Sequence, residues 1–178
     1  FGADPKESGK IYINGEEVDI KNPMDAVKHG IGYLSEDRKR YGIVVGKSVA
    51  ENSTMATMDE FTNGPFINKK KEKEIAQKYV ESLKTKTPSV DQLVVNLSGG
   101  NQQKVVIAKW LVRNCDILIF DEPTRGIDVG AKSEIYHLMN ELVAAGKSII
   151  MISSEMTEIL RMSDRIMVMC EGRVTGEI

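Results

Sequence analysis

Two carboxylates stand side by side at the end of an apolar run in Ile117-Leu118-Ile119-Phe120-Asp121-Glu122-Pro123. An apolar strand ending in acids places them where open α/β sheets keep their ligand crevice, just beyond the carboxyl ends of the strands. There, one carboxylate can hold Mg²⁺ on a nucleotide while its neighbour orients and deprotonates an attacking water. A solvated strand end followed by a proline turn would carry the same residues, so the pair alone does not fix the chemistry. A second motif lies upstream: Leu97-Ser98-Gly99-Gly100-Asn101-Gln102-Gln103-Lys104 sets a hydroxyl and two glycines ahead of a helix expected over 101–112. The N–H groups and dipole of such a helix point at an anion, and glycine lets a phosphate come close to the backbone.

Gly42-Ile43-Val44-Val45-Gly46-Lys47-Ser48 raises the question of a phosphate-binding loop. That loop is a G-x-x-x-x-G-K-[ST] run between a buried strand and a helix, and its consecutive N–H groups curl around the phosphates. Here only three residues separate the glycines, all of them β-branched, and the run upstream is the charged Glu36-Asp37-Arg38-Lys39-Arg40. The stretch therefore fails the motif's context. Gly146-Lys147-Ser148 has Glu141 where the first glycine belongs, and reads as a helix stop followed by a strand.

The elements that must position these residues follow from periodicity. Lys10–Ile13 and Glu17–Ile20 around Asn14-Gly15 form a hairpin signal. Asn22-Pro23 caps a short helix ending at Gly30, and Ile31–Ser35 reads as a buried strand. From about Gly46 to Asn96 strand runs are absent, and a helix is expected from Lys69 to Leu83 with Ile75, Tyr79 and Leu83 on one stripe. From Ile117 onward strand and helix alternate through Ile117–Phe120, Lys132–Ala145, Ser148–Ser153, Thr157–Met162 and Arg165–Met169. Such alternation implies a parallel sheet with crossover helices. Ile135, Leu138, Met139 and Leu142 fall on one face of the longer helix and are expected in the core.

At 178 residues and 41% hydrophobic content the chain suits one compact soluble domain. No apolar run approaches a membrane span, and no signal peptide is visible. A net charge of −2 argues against generic nucleic-acid binding, and Lys69, Lys70 and Lys71 read as a solvated helix start. Cys115 and Cys170 border apolar segments and are expected as reduced, buried thiols. The abrupt opening at Phe1 and the stop at Ile178 suggest a piece of something longer.

Taken together, these residues resemble an ATP-binding-cassette ATPase: "LSGGNQQK" matches the family's signature, "ILIFDEP" its Walker B strand, and Thr124-Arg125-Gly126-Ile127-Asp128 the loop after it. "GYLSEDRKR", "KTPS", "EPTRGIDVGAK" and "ISSEM" extend the likeness over the whole chain, most closely to the second cassette of ribose-type and galactose-type monosaccharide importers. The resemblance implies an α/β cassette fragment with a parallel-sheet core, a small antiparallel β-hairpin region and a helical signature subdomain. It implies a single domain over 1–178, with 1–45 and 105–178 as the α/β core and about 46–104 as the helical part. It also implies ATP and Mg²⁺ as ligands, and a peripheral place on the cytoplasmic face of the membrane. The implied partners are permease subunits, a paired cassette and, indirectly, an external sugar-binding protein, with no nucleic acid. Asp121 would be the carboxylate near Mg²⁺ and Glu122 the general base, while Ser98, Gly99 and Gly100 would touch the γ-phosphate held by the opposite cassette. Gln102 would fix the signature helix, and Asp128 would lie at the interface of paired cassettes. The family's phosphate loop precedes the segment that begins here.

Two positions depart from the family pattern. Glu36 stands where a Gln usually meets Mg²⁺ and the attacking water, and Ser154 stands where a His usually contacts the γ-phosphate. A carboxylate repels phosphate unless a cation compensates, and serine lacks the reach and charge of imidazole. Two further readings stay open beside the importer ATPase: a catalytically degenerate module that mainly donates its signature or regulates, and a non-transport cassette protein.

Overall fold

The computed structural model describes residues 1–63 and 66–178. Its centre is a three-stranded parallel sheet in the order β3 (Ile31–Leu34), β6 (Ile117–Asp121), β7 (Ser148–Ile152). The register pairs Leu34 with Phe120 and Asp121 with Ile152, so the carboxyl ends of β6 and β7 finish level. Period-two alternation sends Leu118 and Phe120, both fully buried, to the face covered by helices. Ile117 and Ile119 turn to the other face, where Phe1 and the hairpin residues Ile11, Ile13 and Val18 pack.

That hairpin joins β1 (Ile11–Ile13) to β2 (Glu16–Val18). Asn14 and Gly15 both adopt positive φ, 52° and 84°, as a tight two-residue turn requires. Helix α1 (Pro23–Lys28) starts as expected, with the Asn22 side chain accepting from the Asp25 N–H at 3.1 Å. Beyond β3 the chain winds into a π-helical turn, Arg38–Gly42, and then helix α2 (Val49–Thr54).

The stretch Gly42–Ser48 is built to start α2, not to hold phosphate. Ser48 caps the helix and exchanges bonds with Glu51 in a capping box, and Lys47 pairs with Glu51 at 3.2 Å. The amide of the buried Asn52 takes up the loop's backbone: its Oδ1 accepts from the Val44 N–H at 2.7 Å, and its Nδ2 donates to the carbonyls of Val44 and Ser48. Those groups face inward instead of curling round an anion.

The middle of the chain corrects one expectation. Two short strands, β4 (Thr62–Asn63) and β5 (Phe66–Ile67), pair antiparallel before helix α3 (Lys69–Ser82); two-residue strands carry too little periodicity to be read from sequence. Lys69, Lys70 and Lys71 are exposed at the head of α3, as expected. Helix α4 (Gly99–Val112) runs through the centre of the molecule and is buried on nearly every side. It lies so close to β3 that a Cβ on Gly32 would stand 2.8 Å from Cγ of Trp110, whose indole N–H donates to the Tyr33 carbonyl.

Helix α5 (Val129–Ala144) buries Ile135, Leu138, Met139 and Leu142, the expected stripe. After β7 come helix α6 (Met156–Met162) and a terminal hairpin, β8 (Met167–Cys170) with β9 (Arg173–Glu177). The third strand of the expected parallel alternation thus leaves the sheet: among the described residues β8 pairs only with β9, across the positive-φ turn Glu171-Gly172. Cys170 sits on this hairpin and is exposed, contrary to expectation, while Cys115 is buried and its thiol is pushed up to about 11 by that burial.

Candidate functional site

The level ends of β6 and β7 bring Asp121, Glu122 and Ser154 together. Asp121 closes β6, and its Oδ2 accepts from the Tyr33 hydroxyl of β3 at 2.6 Å. Burial, that bond and the adjacent negative charge push the Tyr33 phenol up to about 12. Glu122 follows with φ 47°, in the left-handed region that costs a non-glycine residue roughly 1–2 kcal/mol. Two contacts with the chain after β7 hold it there. Its N–H donates to the Ile152 carbonyl at 2.9 Å, and its Oε1 accepts from the Ser154 N–H at 2.8 Å. Ser154 therefore meets Glu122 through its backbone, and its side chain is exposed.

The signature residues gather at the head of α4. Ser98 is the N-cap residue, yet its hydroxyl accepts from the Asn101 side chain at 2.9 Å, and Asn101 in turn accepts from the Lys86 N–H. Gly100 packs against α5, so that a Cβ there would stand 2.8 Å from that of Ala131. Gln102 is buried and donates to the carbonyls of Val94 and Leu97, tying the helix to the turn that precedes it. Asp128 is the N-cap of α5 and accepts from the Ala131 N–H at 2.9 Å, with the strongly exposed Val129 beside it.

Arg38 joins the two groups. Its guanidinium donates to Gln102 Oε1 at 3.4 Å, to the Arg125 carbonyl at 2.8 Å and to the Gly126 carbonyl at 3.4 Å. A Cβ on Gly99 would fall 2.7 Å from Arg38 Nη2 and 3.0 Å from the Gly126 carbonyl oxygen. Burial lowers the Arg38 pKa, opposed by the charge of Asp37. Glu36 lies beside this network and forms an ion pair with Arg125, so the carboxylate that replaces the expected glutamine has a compensating cation. Glu36, Asp37, Arg38, Lys39 and Arg125 line an open cleft of about 430 Å³. Among the described residues no hydrogen bond links Asp121 or Glu122 to Ser98, Gly99 or Gly100; the expected site residues form two groups with Arg38 and the 123–128 loop between them.

Sequence reasoning missed Tyr33, Arg38, Thr124 and Glu158. Arg38 sits in a charged run that reads as a solvated turn, and Glu158 in a short amphipathic helix where an acid reads as exposed. Only the tertiary fold turns either inward.

Comparison with known proteins places this geometry. The ABC transporter family model matches residues 1–125. A putative ribose/galactose/methyl galactoside import ATP-binding protein of Burkholderia lata is 60% identical over the whole chain. A xylose import ATP-binding protein of Thermoanaerobacter pseudethanolicus is 57% identical over 99% of it. The chain spans 35% of the length of each of these relatives. Among solved structures, a nucleotide-free ATP-binding cassette from an ABC transporter superposes with a TM-score of 0.84 at 24% identity, covering 99% of this chain and 71% of that one. A dimeric post-hydrolysis cassette bound to ADP and Pi matches with a TM-score of 0.76 at 20% identity, covering 98% and 75%; at these identities the likeness speaks for the fold. With the signature at the head of α4 and paired acids at the end of β6, the chain belongs to the ABC transporter family of ATP-binding cassettes.

Proposed function

We propose that this chain is the signature-bearing part of an ATPase that powers import of a monosaccharide of the ribose type, working at the cytoplasmic face of the membrane. The observation that carries the reading is the pairing, across Arg38, of Ser98-Gly99-Gly100 at a helix head with the loop that leaves Asp121 and Glu122. Relatives named for ribose, galactose and xylose import support the substrate class. On this reading residues 1–45 and 105–178 form the α/β core and about 46–104 the helical subdomain. The partners are permease subunits and a paired cassette, with an external sugar-binding protein acting through the permease.

The residues fit ATP and Mg²⁺. Mg²⁺ takes one or two carboxylates and completes its shell with phosphate and water, and Tyr33 occupies only one oxygen of Asp121. When bound, the ion neutralises charge on the transferring phosphoryl group. Glu122 spends Oε1 on the Ser154 N–H, which leaves Oε2 to accept a proton from water. Ser98 and the N–H groups of Gly99 and Gly100 offer donors to a phosphate of the paired cassette's nucleotide, aided by the helix dipole. Asp128 and the exposed Val129 lie on the surface that would face that cassette.

The Glu36 and Ser154 departures favour a second emphasis, in which the domain serves mainly as signature donor. The test uses the full-length protein with its permease in liposomes, scoring ATP turnover and sugar uptake together. Replacing Gly99 should stop both, and Glu122→Gln should hurt less than the same change in the companion cassette. Abolition by Glu122→Gln with tolerance at Gly99 would reverse the roles; turnover with no sugar uptake in the parent protein would overturn the transport reading.

A further inference from the structure

Glu158 is 2% exposed, the most enclosed carboxylate in the chain's described residues, and both its oxygens are taken by hydroxyls. Oε1 accepts from Thr124 Oγ1 at 3.0 Å, and Oε2 accepts from Ser153 Oγ at short range. These donors come from two different loops: Thr124 lies two residues after Glu122, and Ser153 directly precedes Ser154. Ser153 Oγ also accepts from the Glu155 N–H at 3.1 Å, so its proton is committed to Glu158 and the turn after β7 closes around it. The Tyr136 hydroxyl of α5 lies beside the same carboxylate, and its pKa is raised by burial and by the charge of Glu158. Lys132, paired with Glu155, adds a longer-range attraction.

A buried carboxylate is costly, and an apolar residue of the same volume would fill the space at no such cost. What only a carboxylate supplies is two strong acceptors on one rigid fork. Here the fork spans the loop leaving Glu122 and the loop carrying Ser154, whose N–H holds the Glu122 side chain. Glu122 keeps a left-handed backbone that only surrounding contacts can sustain. We infer that Glu158 is a positioning residue: by clamping Thr124 to Ser153 it sets the Ser154 N–H against Glu122 and so fixes the carboxylate at the mouth of the site. The clamp itself is independent of the reading of Glu122 as general base; its consequence for turnover rests on that reading.

Glu158→Gln keeps volume but replaces one acceptor by a donor, so whichever way the amide turns, one of the two hydroxyls loses its acceptor. Thr124→Val removes a donor from the other loop at constant shape, and guards against failure to fold at Glu158. In the full-length protein, peptide-resolved hydrogen exchange should show the Ser154 and Glu155 amides exchanging roughly ten- to a hundredfold faster in both variants, the range for losing a hydrogen bond to a charged group. Exchange in β6 should stay as in the parent. In the reconstituted transporter kcat should fall with KM for ATP nearly unchanged, since no group that binds nucleotide is removed. Unaltered exchange at Ser154 and Glu155 in both variants overturns the clamp, and so does faster exchange spread evenly over β6 and β7. If Glu122→Gln leaves turnover intact, it is the general-base reading that falls, and the exchange measurement still decides the role of Glu158.

Discussion

Gly99→Ala should damage the protein through Arg38, and the structure sets the size of the effect. The new methyl carbon would stand 2.7 Å from Arg38 Nη2, so the guanidinium must retreat by roughly 0.7 Å to reach ordinary contact. The Nη2 bond to the Gly126 carbonyl already measures 3.4 Å and would be lost, and the bonds from Nε to Gln102 at 3.4 Å and from Nη1 to the Arg125 carbonyl at 2.8 Å would weaken as the guanidinium turns. At about 1 kcal/mol per net hydrogen bond, discounted for the half-exposed side chain, the displacement costs about 1–2 kcal/mol. The Gly126 carbonyl, 3.0 Å from the methyl, must also yield by a few tenths of an ångström, and backbone yields less readily than a side-chain tip. If Gly99 also meets the paired cassette's phosphate, turnover falls by a further ~10²–10³-fold, the loss seen for one transition-state donor. A double-mutant cycle separates the two effects. Arg38→Ala alone forfeits the same bonds, and if they hold the 123–128 loop in place in the transition state it should lower ATP turnover roughly tenfold, matching ~1.4 kcal/mol. In that background Gly99→Ala should cost about tenfold less than in the parent, because the clashing group is gone. Strictly multiplicative losses in reconstituted full-length protein would refute the steric link between Gly99 and Arg38.

Three other outcomes follow from the same contacts. Glu51→Ala removes half of the capping box on α2 and should cost about 1 kcal/mol at neutral pH by denaturant unfolding. The Ser48 N–H and Lys47 depress the Glu51 pKa from 4.5 to about 2, so its stabilisation is complete above pH 4.5 and drains away as pH falls toward 2; the variant should show a flatter stability profile in that window, and an unchanged profile would dismiss the capping account. Gly32→Ala places a methyl 2.8 Å from Trp110 Cγ and 3.0 Å from Leu118 Cδ2, an overpacking that should cost about 1–3 kcal/mol and lower the Tm of thermal unfolding; a Tm equal to the parent's would show that α4 stands further from β3. Cysteines at Tyr41, Val44 and Val45 should crosslink to the permease in the assembled transporter, since these side chains are 66%, 48% and 41% exposed around the buried Ile43; consistent failure at all three positions would count against docking there.

The parts of the fold that could be read from sequence are those fixed by short-range chemistry. Asn14-Gly15, Asn22-Pro23 and the Ile135–Leu142 stripe each became the expected turn, cap and core face, because a two-residue turn, an N-cap and a helical face are decided by neighbours in the chain. Strand membership is decided by distant partners, and there the reading erred. Met167–Cys170 has the composition of a sheet strand, but the turn at Glu171-Gly172 folds the next five residues onto it and spends its pairing on β9. The run Ile43-Val44-Val45, uniform in composition, likewise splits between core and surface. Ile43 closes the core over α4, whereas Val44 is held at the surface by its backbone bonds to Asn52.

At the site, acids expected to act on ligand turn out to differ in how their charge is met, and that difference carries the last step of the reasoning. Glu36 would repel a phosphate if left bare, but Arg125 neutralises it, and Arg125 belongs to the loop that Arg38 also grips. Glu36→Gln would therefore do more than remove a charge near the nucleotide: it would free the Arg125 side chain from its ion pair, while Arg38 still holds the Arg125 and Gly126 carbonyls. Glu122, by contrast, accepts a single N–H on one oxygen among the described residues, and on the proposed function its other oxygen would serve water. A glutamine at position 36, the residue that the resemblance leads one to expect, could not hold Arg125 by charge. The departure thus reads as one half of a compensated pair, legible only once residues 36 and 125 are seen to meet.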